Sequence, residues 1–285
     1  MMKPSKILAF LDPESHTREE ILTRFGEGAL SILDTLVKEG SLSLQNDRYS
    51  VSLEQFNSTI LSYQCGLDVR YVSSCTSTND VANRLAQDGW TGVVTADFQL
   101  QGRGRLGRVW QSSDAENLLF SMVIRPKITI AQASRTTLIW AAEIADELGL
   151  YVKWPNDIID VEDNKVGGLL SSMQIKGNKV EYIIFGVGLN VNQHSFVGLP
   201  QATSLAMLSG KLQSRNQILR RIIERVEQTS PSKDFSLWRQ LSRTLGRRVK
   251  IGDVEGVATT IREDGALIVN GIPILTGDVQ LMEGE

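Results

Sequence analysis

Gln99-Leu-Gln-Gly-Arg-Gly-Arg-Leu-Gly-Arg-Val-Trp110 sets Arg103, Arg105 and Arg108 among Gly102, Gly104 and Gly107. Glycines tolerate positive φ and let a bound group approach the backbone, while guanidinium forks grip carboxylate or phosphate oxygens in pairs. The stretch reads as a mobile clamp for an anion. Its glycines also satisfy G-x-G-x-x-G, but a dinucleotide-binding turn opens a helix and meets an acid about 20 residues on. Here the strand-like run Leu118-Leu-Phe-Ser-Met-Val-Ile-Arg125 follows, and Lys127 stands where the acid is needed, so that reading is set aside.

Upstream, Gly92 to Gln99 reads as a strand that delivers the loop and ends on Gln99, whose amide both donates and accepts. Before it come a strand from Val69 to Val72 and then Thr76-Ser77-Thr78-Asn79-Asp80. Ser77 with Asp80 has the spacing of a capping box for a helix that buries Val81, Ala82, Leu85 and Ala86. Downstream, Ala131 to Leu150 has helical apolar spacing with Gly149 as a stop. Tyr151-Val-Lys-Trp-Pro-Asn-Asp157 runs a strand into a turn, because Pro155 biases Trp154 toward extended geometry, so an indole and two polar side chains converge. Lys165 to Met173 and Lys179 to Gly188 form a hairpin pattern through Lys176-Gly-Asn178. A lysine opening a strand is usually just solvated. Gly167 and Gly168 favour another reading, since glycine inside a strand marks close approach by a ligand or another backbone. An ammonium beside that gap suits a carboxylate and a phosphate together. Gly186, Gly188 and Asn190 repeat the pattern, with room for a planar ring and an amide suited to adenine's edge.

Gly102 to Trp110, followed by Lys153-Trp-Pro-Asn-Asp157, Lys165-Val-Gly-Gly-Leu169 and Gly186-Val-Gly-Leu-Asn190, resembles the biotin protein ligases, specifically the bifunctional type that is also the biotin operon repressor. The likeness covers residues 70–285 well and 1–65 in outline. It implies an α+β chain with a winged helix-turn-helix at 1–66 and a mixed-sheet catalytic domain of the biotin/lipoate ligase, class II synthetase-like, type at 67–246. An SH3-like β-barrel at 247–285 completes the implied order. The implied activity joins biotin and ATP into biotinoyl-5′-AMP, with Mg²⁺ bridging ATP oxygens, and then transfers biotin to a lysine of a biotin carboxyl carrier domain. By the same resemblance Ser77, Thr78, Asn79, Gln99, Gly104, Trp110, Gly168 and Gly188 face biotin. Arg108, Asn156 and Asn190, with Trp110, lie toward the nucleotide, and Arg103, Arg105 and Lys165 meet both substrates and carry the reaction's charge. Asp157 is the candidate metal ligand, the metal's ligands being otherwise unassigned, and a homodimer and a DNA operator are further implied partners. Two rivals stay open at this point: a ligand-sensing winged-helix regulator without catalysis, and a lipoate ligase.

With 285 residues, 41% of them hydrophobic, the chain suits about two or three domains and a sizeable core. A net charge of −3 gives no global basic field for nucleic acid. Ile7 to Leu11 is too short for a signal segment and no apolar run approaches membrane-spanning length, so no membrane partner and a cytoplasmic location are expected. Two cysteines, Cys65 and Cys75, fit neither a disulfide framework nor a zinc site, and His16 and His194 alone cannot build a histidine metal centre or a Ser-His-Asp triad. The chemistry must run on Lys, Arg, carboxylates and backbone amides.

At the N-terminus, Ser5 to Leu11 reads as a helix. Thr17-Arg-Glu-Glu20 is a capping box opening a second that ends at Gly26, and Gly28 to Gly40 a third. Ser41 to Val51 alternates around Asn46-Asp47, a hairpin signal. Residues 1–66 carry six basic side chains against nine acidic, a net of −3, and the presumed recognition helix offers Asp34 and Glu39 against Lys38. That is not the footprint of a DNA-binding module. Residues 52–68 read as a connector. Ser214 opens a helix and Pro231 to Leu245 another, after which Val249 to Ile251, Gly256 to Ile261, Ala266 to Val269 and Ile274 to Leu281 read as short strands.

Overall fold

Reciprocal capping starts the N-terminal unit: the Thr17 hydroxyl accepts from the Glu20 N–H and the Glu20 carboxylate from the Thr17 N–H, opening the helix Arg18–Phe25. The computed structural model describes residues 7, 10–11, 15–38, 42–51, 58–230 and 233–282. Gly26, at φ 76°, ends that helix. The helix Leu30–Lys38 then turns Leu33 and Leu36 inward. Strands β1 (His16–Thr17), β2 (Leu42–Gln45) and β3 (Arg48–Val51) form a sheet in the order β1-β3-β2. Asn46 and Asp47 take φ of 50° and 59° between β2 and β3, the two left-handed positions of a tight hairpin turn. Ile7, Leu11, Ile21, Leu36, Leu42 and Tyr49 belong to a core of this unit's own. Most of the expected helix over Ser5 to Leu11 lies outside the described residues.

The expected connector contains a helix instead, Ser58–Cys65, whose Leu61 and Cys65 are buried in the main core. Its reason to fold is long-range packing, which local periodicity does not display. Next comes a seven-stranded sheet of β4 (Val69–Cys75), β5 (Gly92–Gln99), β6 (Leu118–Ile124), β7 (Tyr151–Lys153), β8 (Asp157–Ile159), β9 (Lys165–Lys176) and β10 (Lys179–Leu189). Its order is β4-β5-β6-β10-β9-β8-β7, with β4 and β5 parallel and the other neighbours antiparallel.

Successive strand residues face opposite sides, and this alternation creates the site. Phe185, Val187 and Leu189 of β10 belong to the main core with Ile139, Ala142 and Trp140 of the helix Ile130–Leu148. That helix is capped by Thr129 and closed by Gly149 at φ 68°. Tyr182 and Ile184 pack against Ala82 and Ala86 of the helix Thr78–Gln87 on the other side. Continuing the same face of β10, Gly186 and Gly188 run out from beneath that helix and floor a cavity.

Strands β11 (Arg248–Ile251), β12 (Val254–Ile261), β13 (Leu267–Val269), β14 (Ile272–Ile274) and β15 (Gln280–Leu281) make an antiparallel sheet in the order β14-β13-β12-β11-β15. Among the described residues this is an open run, without the β14–β15 pairing that would close a barrel. The single strand expected over Ile274 to Leu281 is broken at Gly277, φ 145°, where a Cβ would lie 2.4 Å from Ile251. Val249, Ile251, Ala258, Leu267 and Val269 join the main core, so this sheet is welded to the central one. The helix expected from Pro231 to Leu245 is confined to Ser236–Leu241, with residues 231–232 outside the described ones, and the short helix Leu205–Ser209 was not foreseen. The one after Ser214 runs Arg215–Glu227 as expected. No helix among the described residues is long and apolar enough to cross a membrane.

Candidate functional site

The glycine–arginine loop folds back on itself as a finger. Gly104 N–H donates to the Arg108 carbonyl and Trp110 N–H to the Gly102 carbonyl, both at 2.8 Å. Of its three glycines only Gly107 has positive φ, 76°, while Leu106 takes the neighbouring left-handed position at 54°. Gly102 is required for another reason, because a Cβ there would lie 2.5 Å from the Trp110 carbonyl oxygen. The expectation that these glycines serve a bound ligand is corrected to this extent.

Every residue that the resemblance assigned to biotin, the nucleotide or a metal lines one cavity of about 610 Å³, including Gly104, Gly168 and Asn190, whereas Gly102, Gly107 and Gly167 do not. One end is neutral and polar. Thr78 donates to the Gln99 Oε1 through its N–H, at 2.7 Å, and through its hydroxyl, at 3.1 Å. The Ser121 hydroxyl, fully buried, bridges Thr78 Oγ1 at 2.7 Å and Asn79 Oδ1 at 2.6 Å. Ser77 precedes the helix as its cap residue, but its hydroxyl makes no capping bond, and Asp80 pairs instead with Arg103 at 2.9 Å. The capping box expected at Ser77 and Asp80 is therefore absent.

The other end is charged. Lys165 Nζ lies 2.6 Å from Asp157 Oδ1 and 5.7 Å from the centre of the Trp110 ring. The Trp110 indole N–H is buried and makes no hydrogen bond among the described residues. Arg105 reaches Thr276 Oγ1 at 2.9 Å and Asn156 Oδ1 at 3.4 Å, and Arg108 pairs with Asp278, so the broken C-terminal strand holds the finger. Burial pulls the Arg105 guanidinium below its ordinary range, opposed by Asp278 and Asp157. A desolvated cation of this kind gains from an incoming anion. No group of three His, Cys, Asp or Glu side chains that would hold a metal occurs among the described residues.

A single transverse row organises the floor. Lys153 on β7 pairs with Asp157 on β8, Asp157 with Gly168 on β9, and Gly168 with Gly188 on β10. The glycines in and beside it admit protein groups rather than open space. A Cβ on Gly188 would sit 2.5 Å from the Trp110 indole, and one on Gly186 2.3 Å from Asn79 Oδ1. On the opposite face, a Cβ on Gly167 would meet Leu189 at 2.3 Å. The planar ring foreseen over these glycines is thus the chain's own Trp110.

Two further residues are tied to carbonyls of the protein itself, and for Asn190 this replaces the expected adenine contact. Trp154 lies under the cavity, 1% exposed, its indole N–H donating to the Gly265 carbonyl at 3.1 Å. The Asn190 side-chain N–H groups reach the Thr203 carbonyl at 3.0 Å and the Lys165 carbonyl at 3.4 Å, which commits them to bracing the start of β9. Sequence reasoning missed Ser121, Lys153, Thr276 and Asp278. Ser121 had a signal, as the lone polar residue within Leu118 to Ile124, and Lys153 stood inside a quoted motif. Thr276 and Asp278 had none.

A finger of paired arginines over a mixed sheet, with a neutral polar pocket at one end and a lysine–carboxylate pair at the other, is the arrangement of an acyl-activating ligase. The biotin/lipoate A/B protein ligase family matches at residues 71–190. A Bacillus spizizenii protein named Bifunctional ligase/repressor BirA is 31% identical, covering 86% of this chain and 80% of its own. An Escherichia coli protein of the same name is 29% identical over 99% of this chain and 98% of its own. The solved structure of a biotin protein ligase from Aquifex aeolicus in complex with biotin and ATP is 25% identical, with a TM-score of 0.62, and spans 76% of this chain and 99% of that one. The chain belongs to the biotin protein ligases.

Proposed function

We propose that this cavity carries both steps of an ATP-dependent, AMP-forming biotin ligation. The biotin ring lies at the neutral end, where Thr78, Asn79 and Gln99 offer polar atoms suited to a ureido group. Its carboxylate reaches Lys165. A carboxylate oxygen bonds to the α-phosphorus of ATP, the α–β bridging bond breaks, and its electron pair leaves with pyrophosphate. In the second step a neutral carrier-domain lysine amine attacks the acyl carbon, the acyl C–O bond breaks with its electron pair leaving on AMP, and the surplus proton on nitrogen passes to solvent. Little acid–base work is asked of the protein: it aligns the two anions, offsets charge and excludes water. Lys165, Arg103 and Arg105 supply the charge, with Arg108 and Asn156 toward the nucleotide, and the Trp110 N–H, without a partner among the described residues, is a donor held ready for a ligand oxygen. The wall does not suit an all-protein metal site, but one carboxylate, Asp157, beside the phosphate path suits Mg²⁺ that arrives on ATP. The observation that carries the reading is the Lys165–Asp157 pair beneath Trp110, in one cavity with the Thr78–Gln99 end. Incubating the protein with biotin, ATP and a biotin carboxyl carrier domain should add one biotinoyl mass to the carrier. No addition, or equal inhibition by lipoate as a competing substrate, would count against it.

We take residues 1–66, 67–246 and 247–285 as the domains, the first a winged helix and the last SH3-like, with the helix Ser58–Cys65 at the end of the first stretch packed into the core of the second. The separate core and three-stranded sheet of the first support this. Its DNA affinity is expected to be weak at physiological salt, because phosphate binding draws on several available lysines and arginines. Arg48 is bonded to Ser15, and the Arg24 guanidinium packs 5.1 Å from the Phe10 ring centre. Titrating labelled DNA from upstream of this organism's biotin genes, with biotinoyl-AMP at about 50 and 200 mM salt, should give no sequence-selective nanomolar binding. Tight selective binding with a steep salt slope would instead make the chain a ligase and repressor.

A further inference from the structure

Among the described residues, four of the five cations on the cavity wall are engaged within the protein. Arg103 meets Asp80, Arg105 meets Asn156 and Thr276, Arg108 meets Asp278, and Lys165 meets Asp157. The fifth is Lys153, the half-buried last residue of β7, whose ammonium has no ion-pair partner among the described residues. Cross-strand partners share a face, and Lys153 pairs directly with Asp157, so both project to the cavity side. Lys153 is therefore the cross-strand neighbour, on the cavity side, of the carboxylate that Lys165 pairs with. An ammonium held in a concave site beside other cations gains only when an anion arrives that outweighs the wall's carboxylates.

The sheet says which part of the anion that is. The neutral pocket lies over β5, β6 and β10, the Lys165–Asp157 pair over β9 and β8, and Lys153 on the edge strand β7. Successive strands are about 4.8 Å apart, so β7 lies roughly 10 Å beyond β9, on the side away from the ring pocket. A ligand running from the ring pocket past Lys165 presents its far end to Lys153.

We infer that Lys153 contacts the β- and γ-phosphates of ATP, the group that leaves as pyrophosphate. This rests on the ligase reading above and names a further substrate-contacting residue within it. As the bridging P–O bond breaks, its electron pair moves onto pyrophosphate. Lys153 offsets that charge as an ammonium throughout, giving and taking no proton. The charge grows only in the transition state, so the contact acts on adenylate formation and has no part in transfer from adenylate to carrier.

The experiment separates the two steps. Lys153→Ala should lower kcat/KM for ATP in biotin-dependent pyrophosphate release by about a hundredfold, as loss of one preorganised donor does. Lys153→Arg should recover part of it, and covers the case in which the alanine variant does not fold. Biotin binding, and transfer from purified biotinoyl-AMP to the carrier domain, should stay at wild-type levels in both variants. An unchanged ATP dependence overturns the proposal, and so does transfer that falls as far as adenylation, since Lys153 would then serve the adenylate or the fold. If the wild-type protein releases no pyrophosphate with biotin and ATP, the ligase reading fails instead.

Discussion

Lys165→Ala should slow biotinoyl-adenylate formation by a factor of about 10² to 10³, roughly 3 kcal/mol of transition-state stabilisation. Lys165 opens β9, and its ammonium is placed by three things: the Asp157 carboxylate at 2.6 Å, the Trp110 ring at 5.7 Å, and Gly168, whose missing Cβ leaves the lysine Cε and Nζ lying 3.4 Å from where it would be. The group is preorganised, so it need not reorganise when two anions meet beside it, and that is the condition under which one charge acts strongly. Stability should change little. The lysine side chain is 39% exposed and that of Asp157 21%, and pairs this accessible contribute at most about 1 kcal/mol. The thermal midpoint should therefore stay near wild type while pyrophosphate release collapses. Release at the wild-type rate would remove Lys165 from the reaction, and a large fall in midpoint would make its role structural.

Gly188→Ala and Gly167→Ala should fail in opposite ways, although the two residues sit on neighbouring strands. A methyl on Gly188 would overlap the Trp110 indole at 2.5 Å, and β10 is central in the sheet and cannot yield. The ring must move, taking with it the cation–π contact to Lys165 and the finger tied at Trp110 N–H to Gly102. A displacement of about 1 Å near reacting groups costs about a hundredfold, and kcat/KM should fall by that order with the fold intact. A methyl on Gly167 would strike Leu189 at 2.3 Å on the core face, and overpacking of that kind destabilises by about 1 to 3 kcal/mol. Its activity per folded molecule should survive. Melting curves and pyrophosphate assays on both variants decide the matter, and equal loss of activity in the two would show that the face on which each glycine lies does not matter.

Much of the site was legible because its parts are close in sequence. The finger, the turn at Trp154 to Asp157 and the hairpin from Lys165 to Leu189 each carry their glycines, prolines and charges within one short stretch. Expectations failed where a residue's partner is distant. Asp80 was read as a cap for its own helix, whereas Arg103 draws its carboxylate away. Trp154 lines the cavity as its motif implied, but the partner of its indole N–H, the Gly265 carbonyl in the sheet formed by residues 248–281, could not be read locally. The helix Ser58–Cys65 was hidden because its burial comes from the main core rather than from its own pattern.

The sequence by itself determined the reciprocal cap at Thr17 and Glu20, the turn at Asn46-Asp47 and most strand and helix periods, since each depends on residues a few positions apart, while the motifs carried most of the cavity's residues by resemblance. Only the tertiary structure decided what each of them meets. The order β4-β5-β6-β10-β9-β8-β7 lines up Lys153, Asp157, Gly168 and Gly188 in one row, seats Trp110 where glycines leave space, and brings Thr276 and Asp278 to arginines some 170 residues earlier. The physical reason is that a side chain's face follows from local backbone geometry, whereas the neighbour on that face follows from strand order, which is settled by burial over the whole chain.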